Sequence, residues 1–267
     1  MLLYRILLVV SLLPAIVLGT YIYKKDKDKE PSKLLIKLIS FGALSGIPAL
    51  ILELIFGFIF RVQDNYLSHL FDAVIGVALI EELCKFFPAY FIGVKSKHFD
   101  SVYDAVIYTT FSTMGFATLE NIIYTFSNGL GTGIIRMFFS VPGHIGYGIL
   151  MGYFLGVAYK AKKINDQGKF KRNLIYSILV PTLYHGLYDA VLSCGAGIFS
   201  ILFILVTDLA ITIFAFVKAK KISEENENLE SGNVREDIGN ILIVIAVLLM
   251  IFFGMFCFLE SAFWSFI

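Results

Sequence analysis

Charge is what this chain has least of: Asp, Glu, Lys and Arg make up 16 % of its 267 residues, against about 25 % in soluble globular domains. With 58 % hydrophobic residues where roughly 45–50 % is usual, the composition is that of a membrane protein and excludes a water-soluble one. An excess of either sign is also missing, since the formal net charge is +1. That leaves no basic surface for nucleic acid and no acidic run of the kind that forms a disordered, solvating tail. Cysteine is scarce. Cys84, Cys194 and Cys257 lie scattered through apolar stretches with no CxxC pair, which excludes a thiolate cage for a structural metal and leaves them as inert core or lipid-facing residues. Long polar stretches are absent too. The links KKDKDKEPSK, KSKHFD, AKKINDQGKFKR and KAKKISEENENLESGNVREDIG are too short for a folded soluble domain. The chain therefore reads as one all-α, polytopic membrane domain over residues 1–267, without internal repeats.

What it has instead is apolar sequence in lengths that cross a bilayer, about 20 residues per helix. Eight stretches qualify, at approximately 2–23, 35–60, 67–94, 102–128, 133–159, 173–193, 196–217 and 239–264. The first resembles a secretory signal because Arg5 precedes an apolar run. It is long enough to span, however, and VLGTYIYKK lacks a small-x-small cleavage site, so it is expected to be retained. Lysine and arginine concentrate in alternate links: Lys24 to Lys33, Lys95 and Lys97, Lys160 to Arg172, and Lys218 to Arg235. Positive links stay in the cytoplasm, so both termini are expected on the outer side.

Ionisable residues inside such spans are costly, about 2.5–3.5 kcal/mol each at the bilayer centre on insertion scales. Spans three to six carry the densest set: Glu81, Glu82 and Lys85; Glu120, followed by Asn121; His144 in SVPGHIGYGILMG; and His185 with Asp189 in PTLYHGLYDAV. Residues three or four apart share a helix face, which pairs Lys85 with both glutamates and His185 with Asp189. Glu81 and Glu82 diverge by about 100° around the axis and are expected to do different jobs. At a rise of about 1.5 Å per residue, Glu82, Glu120, His144, His185 and Asp189 all fall roughly 18–25 Å from the cytoplasmic side. This shared level predicts one polar site. Each residue alone has a bland reading: Lys85 with its glutamates as an ion pair that lets the helix insert, a lone histidine as a hydrogen-bonded packing residue. Pro142-Gly143 before His144 and Pro181 before His185 are expected to break their helices and make room for water. Glu53, Asp72, Asp104 and Asp208 stand apart from the motifs above and are read as structural. Glu260 is read as snorkelling at the outer interface, and Gly143, Gly146, Gly148, Gly152 and Gly156 as close-packing positions.

Carboxylates and histidines around trapped water suit hydrolysis in two ways. A glutamate could act as general base while a histidine stabilises the developing oxyanion. Alternatively His144, His185 and Asp189, with Glu120, could hold Zn²⁺ while Glu81 or Glu82 takes the proton from water. A proton-coupled transporter using the same cluster as a relay is the rival class, against which the residues form one level and no ladder. Haem ligation by His144 and His185 is disfavoured by the carboxylates around them.

EELCK (Glu81 to Lys85), FATLE (Phe116 to Glu120, continuing to Tyr124) and HGLYD (His185 to Asp189) match the ordered motifs EExxK, FxxxE and HxxxD. In order, spacing and placement, over residues 67 to 193, the chain resembles the PrsW family of intramembrane proteases, distant relatives of the CAAX prenyl endopeptidases. The resemblance implies a bacterial cytoplasmic-membrane protease in a stress response. It would make the first, extracytoplasmic cut in a membrane-anchored anti-sigma factor, a single-span partner in the lipid bilayer. It implies Glu81 and Glu82 as catalytic carboxylates, Lys85 as their charge partner, and Glu120, His185 and Asp189 as the remaining polar shell. His144 joins by depth and by its Gly-His pair. Lys85 and Glu120 stand where prenyl-processing relatives carry Arg and His, which argues against prenyl-protein processing.

Overall fold

The computed structural model describes residues 1–195, 197–225 and 238–265, with the backbone alone from residue 257. It is all-helical, with no β-strand among the described residues. α1 spans Leu2–Lys25. A broken rod follows, α2 (Ser32–Leu44) and α3 (Gly46–Ile59). The third rod runs from α4 (Tyr66–Phe71) through a π-helical stretch, Asp72–Ala78, into α5 (Leu79–Pro88) and a second π-helical stretch, Ala89–Val94. α6 covers Val102–Asn128, α7 Leu130–Phe138, α8 Ser140–Lys163, α9 Gln167–Ser193, α10 Ile198–Glu225 and α11 Gly239–Ser265. Five helical segments are long and apolar enough to cross a membrane by themselves: 2–25, 32–59, 130–163, 198–225 and 239–256. The other three rods, 66–94, 102–128 and 167–193, are richer per residue in ionisable and hydroxyl-bearing side chains, which lower hydropathy. The count of eight spans therefore rests on the sequence pattern.

Local chemistry starts the helices where the sequence allows it. Ser101 and Asp104 form a capping box on α6, with Asp104 N donating to Ser101 Oγ at 3.0 Å and Ser101 N to Asp104 Oδ2 at 2.8 Å. Asp104 is thus structural, as expected. Asp166 caps α9 by accepting from Lys169 N at 2.9 Å. Gly129, at φ +88°, ends α6 in a conformation that suits only glycine well.

α6 and α8 form the buried centre, with α9 packed on α8 and α2 on α6. Glycine sets these distances. A Cβ on Gly42 would lie 2.0 Å from the Ser112 carbonyl oxygen, and one on Gly115 2.0 Å from the Ile39 carbonyl oxygen, so α2 and α6 touch backbone to backbone. Gly152 and Gly156 do the same for α8 against α6 and Gly148 makes room there for the Thr113 side chain, while Gly143 and Gly146 face α10 at Asp208 and Thr212. α3, α10 and α11 carry the exposed apolar surface, for instance Leu54, Val206 and Ile241.

The lysine-rich links meet on one face, as the alternation predicts. Lys27 donates to the Glu224 carbonyl at 2.9 Å, Ser223 to the Lys25 carbonyl, and Tyr103 to the Ile22 carbonyl at 2.9 Å. In the link after α1, Glu30 accepts from the Tyr108 hydroxyl at 2.8 Å. Burial pushes Glu30 up to about 8, helped by the charges of Asp104 and Asp26, and burial pushes Asp26 up to about 6. Part of the link beyond α10, including Arg235, and the side chains of Cys257 and Glu260 lie outside the described residues.

One expected break is corrected and one is displaced by a few residues. α9 runs unbroken through Pro181, and Pro142 sits in the first turn of α8, where the missing N–H costs nothing. Span five is nevertheless broken just ahead of Pro142, at Phe139 between α7 and α8, where Pro142 has no N–H for the Phe138 carbonyl; the other interruptions fall at Ser45 between α2 and α3 and as π-helical turns on both sides of α5. A π turn changes which residues share a face, and here it frames Glu81, Glu82 and Lys85.

Candidate active site

α5 presents Glu81 and Glu82 on adjacent faces, with Lys85 one turn on reaching back to both. Its Nζ lies 2.9 Å from Glu81 Oε2 and 2.8 Å from Glu82 Oε1, and 4.5 Å from the centre of the Phe116 ring, fully buried. The same ammonium lies 3.2 Å from His144 Nδ1. An ammonium can only donate, so Nδ1 accepts and the His144 proton is on Nε2. That nitrogen meets Glu120 Oε2 at 2.8 Å, and Arg136 Nη2 holds the other Glu120 oxygen at 3.1 Å. Arg136 in turn stacks over Tyr124, 4.2 Å from the ring centre.

His185 enters from α9 and is gripped at both nitrogens. Nδ1 lies 3.0 Å from Glu82 Oε1, while Nε2 lies 3.2 Å from Asp189 Oδ2 and 3.8 Å from Glu81 Oε2. The Tyr147 ring stacks on it at 5.5 Å and 23°, its hydroxyl bonded to Asp208 of α10. The His144 ring approaches edge-on with centroids 4.9 Å apart. All seven residues singled out by sequence, Glu81, Glu82, Lys85, Glu120, His144, His185 and Asp189, thus belong to one connected network.

The network borders a cavity of about 470 Å³. Here the two glutamates part, as their angular divergence anticipates. Glu81 lines the cavity with Glu120, His144, His185 and Asp189, whereas Glu82 lies behind them, fully buried, with Oε2 unpartnered among the described residues. Three residues read as structural require correction: Glu53, Asp72 and Asp208 line the same cavity. They sit on α3, on the first π-helical stretch and on α10, and only tertiary packing brings them there. Arg136 was not among the residues singled out by sequence. Its position inside span five, among apolar residues, was the signal for it.

Glu81, His144 and His185 each offer a donor atom, all within 4.8 Å of one another. A tetrahedral shell with bonds about 2.1 Å long places donors roughly 3.4 Å apart, so side-chain rotations on the order of 1 Å close it. Glu120, expected among the ligands, stands one position further out on His144 Nε2, as Glu82 does on His185 Nδ1, while Asp189, also expected there, lies outside the trio, 3.2 Å from His185 Nε2. Carboxylates behind ligand histidines orient them and raise their basicity. The inner network has four carboxyl groups, on Glu81, Glu82, Glu120 and Asp189, against the two cations Lys85 and Arg136. That surplus suits a divalent ion, and the N/O donor set suits zinc.

Comparison with known proteins agrees with this architecture. A family model described as PrsW family intramembrane metalloprotease matches residues 30–217, wider than the stretch that carries the motifs. Protease PrsW of Oceanobacillus iheyensis is 35 % identical over 212 residues, covering 79 % of this chain and 93 % of that protein. Protease PrsW of Geobacillus kaustophilus is 33 % identical over 177 residues, 66 % of this chain and 75 % of that protein. Protease PrsW of Bacillus subtilis is 29 % identical over 214 residues, 80 % and 94 % respectively. No solved structure matches the chain.

Proposed function

Because the chain belongs to the PrsW family of intramembrane metalloproteases, and is thereby a multi-pass membrane peptidase, we propose that Glu81, His144 and His185 form its hydrolytic centre. The carrying observation is their convergence on the cavity wall within 4.8 Å. When bound there, a zinc ion supplies Lewis acidity toward a carbonyl or a water. The protein's own residues do the rest. Glu81 is the paired glutamate that reaches the cavity, so it takes the proton from water or holds the ion. Glu82 keeps the His185 Nδ1 proton at 3.0 Å and so leaves Nε2 facing the cavity. Lys85 neutralises the glutamate pair, and Glu120 with Arg136 fixes His144. The proton that leaves the water passes on to the leaving amine, with Asp189, partly exposed beside His185 Nε2, next to that path.

The substrate we infer is a single-span membrane protein of the anti-sigma type, cut first on its extracytoplasmic side, with both termini of the enzyme outside and residues 1–267 acting as one protease domain. The cavity's position supports this, since Thr132, Arg136, Leu192 and Ser193 at its rim lie at helix ends remote from the lysine-rich face. The test is elemental analysis of detergent-purified protein alongside cleavage of such a substrate in liposomes. Stoichiometric zinc, lost together with cleavage in His185→Ala or on chelation, is expected. Full cleavage by Glu81→Ala, Glu82→Ala and His185→Ala alike would end the proposal.

A further inference from the structure

A second, smaller cavity of about 120 Å³ lies between α3 and α6, lined by Leu50, Phe116, Leu119 and Ile123 and ending on Glu53, Glu81, Glu120 and Tyr124. Those four residues also line the catalytic cavity, so the two spaces adjoin with these side chains between them. The slot has a structural cause. α2 is zipped onto α6 by Gly42 and Gly115, whose Cβ positions would collide with backbone at 2.0 Å. The rod then breaks at Ser45, and beyond Gly46 it no longer follows α6. A Cβ there would find only Leu119 and Phe116 side-chain atoms, at 3.4 and 3.9 Å. Ala49 is the one buried residue of α3, and Leu50 and Ile123 face outward. One helix pair is thus tight over one half and splayed over the other, at the depth of the site.

We propose that this slot is the lateral path and binding groove for the substrate's membrane span, which lies in it as an extended main chain held by Glu53. The proposal rests on the protease reading above and names the substrate's conformation at that site. A peptide bond inside a helix is shielded from attack, and an unwound segment in hydrocarbon has orphaned N–H groups that cost several kcal/mol each. An acceptor must meet them. Glu53 has no hydrogen bond or ion pair among the described residues, yet stands half-buried where the slot joins the catalytic cavity. An apolar slot with one free carboxyl at its inner end suits an apolar span whose local chain is rich in small, helix-breaking residues.

The test places the photo-crosslinking residue benzoylphenylalanine at Leu50 or Ile123, both exposed, and at Val206 or Val244 on the lipid faces of α10 and α11. A Glu81→Gln background retains substrate, and the probe is a single-span protein in liposomes. Adducts at Leu50 and Ile123 with none at the other two are expected. Adducts confined to Val206 or Val244, from a parent enzyme that cleaves, would overturn the slot and leave the protease reading standing. A parent that cleaves nothing would remove that reading, and the slot with it. In parallel, Glu53→Leu is expected to lower kcat/KM for the span by up to about tenfold, the loss of one hydrogen bond, with zinc content unchanged. Glu53→Gln, which keeps an acceptor oxygen, should recover most of the loss. Equal activity in Glu53→Leu and wild type refutes the role of Glu53.

Discussion

Replacing Lys85 by methionine tests whether the buried network is held together by charge. Methionine nearly conserves volume, so packing loss is small and the electrostatic loss dominates. Lys85 Nζ touches Glu81 at 2.9 Å, Glu82 at 2.8 Å and His144 at 3.2 Å, with no exposure to solvent. Removing one partner of a buried ion pair costs about 3–5 kcal/mol, and here two carboxylates are stranded, so Lys85→Met should lie at the upper end. Adding Glu82→Gln removes one stranded charge and keeps an acceptor for His185 Nδ1. It should recover about 2 kcal/mol, roughly half the loss. The assay is a double-mutant cycle by reversible unfolding in mixed micelles. Salt should change the coupling little, because a buried pair is weakly screened. Costs that add to within about 0.5 kcal/mol would refute the reasoning, since they would mean that Lys85 and Glu82 do not interact.

Glu82→Gln alone should weaken zinc binding about 10–100-fold, as loss of a carboxylate behind a ligand histidine typically does; unchanged zinc occupancy in a competition titration would deny it that role. Gly115→Val should destabilise by at least about 1–3 kcal/mol, the usual cost of overpacking, because its Cβ would lie 2.0 Å from the Ile39 carbonyl; a wild-type thermal midpoint would contradict the backbone contact. Glu30 and Asp26 have folded pKa values raised from 4.5 to about 8 and from 3.8 to about 6. The fold then binds more protons than the unfolded chain, so their contribution is full below about pH 4 and lost as pH rises through 6 and 8. Hydrogen exchange of the link after α1 should speed up over that range, and Glu30→Gln should flatten the upper part of the response. Arg136→Met should lower cleavage without altering the protein's spectrum of secondary structure, because it frees Glu120 from its 3.1 Å partner and releases His144; unaltered cleavage would make that ion pair dispensable.

The helical spacing in EELCK and HGLYD was enough to foresee the Lys85 pairs and the His185–Asp189 contact, since three- and four-residue separations place side chains together on any α-helix. Depth along the spans foresaw that His144 and Glu120 join them, because a rigid rise per residue turns position into height. Neither rule reaches sideways. Glu53, Asp72 and Asp208 were passed over because spacing along their own helices ties none of them to the motifs, and their cavity neighbours come from other helices. Pro181 misled for a related reason: one missing N–H is tolerated within α9, whereas Pro142 stands just behind the break at Phe139 and nothing in the residues around Ser45 announces the break there.

By itself, then, the chain's order of residues determined that it is a helical membrane protein, which residues are too costly to bury idly, and how deep each lies, all consequences of hydrophobic run length and helical geometry. Only the tertiary structure decided that Glu81 faces the cavity while Glu82 supports His185, that the metal-suited trio is Glu81, His144 and His185, and that a slot opens between α3 and α6. Rotation of one helix about its axis relative to another depends on how glycine seams and π-helical turns let the backbones meet, and no spacing within a single helix encodes that angle.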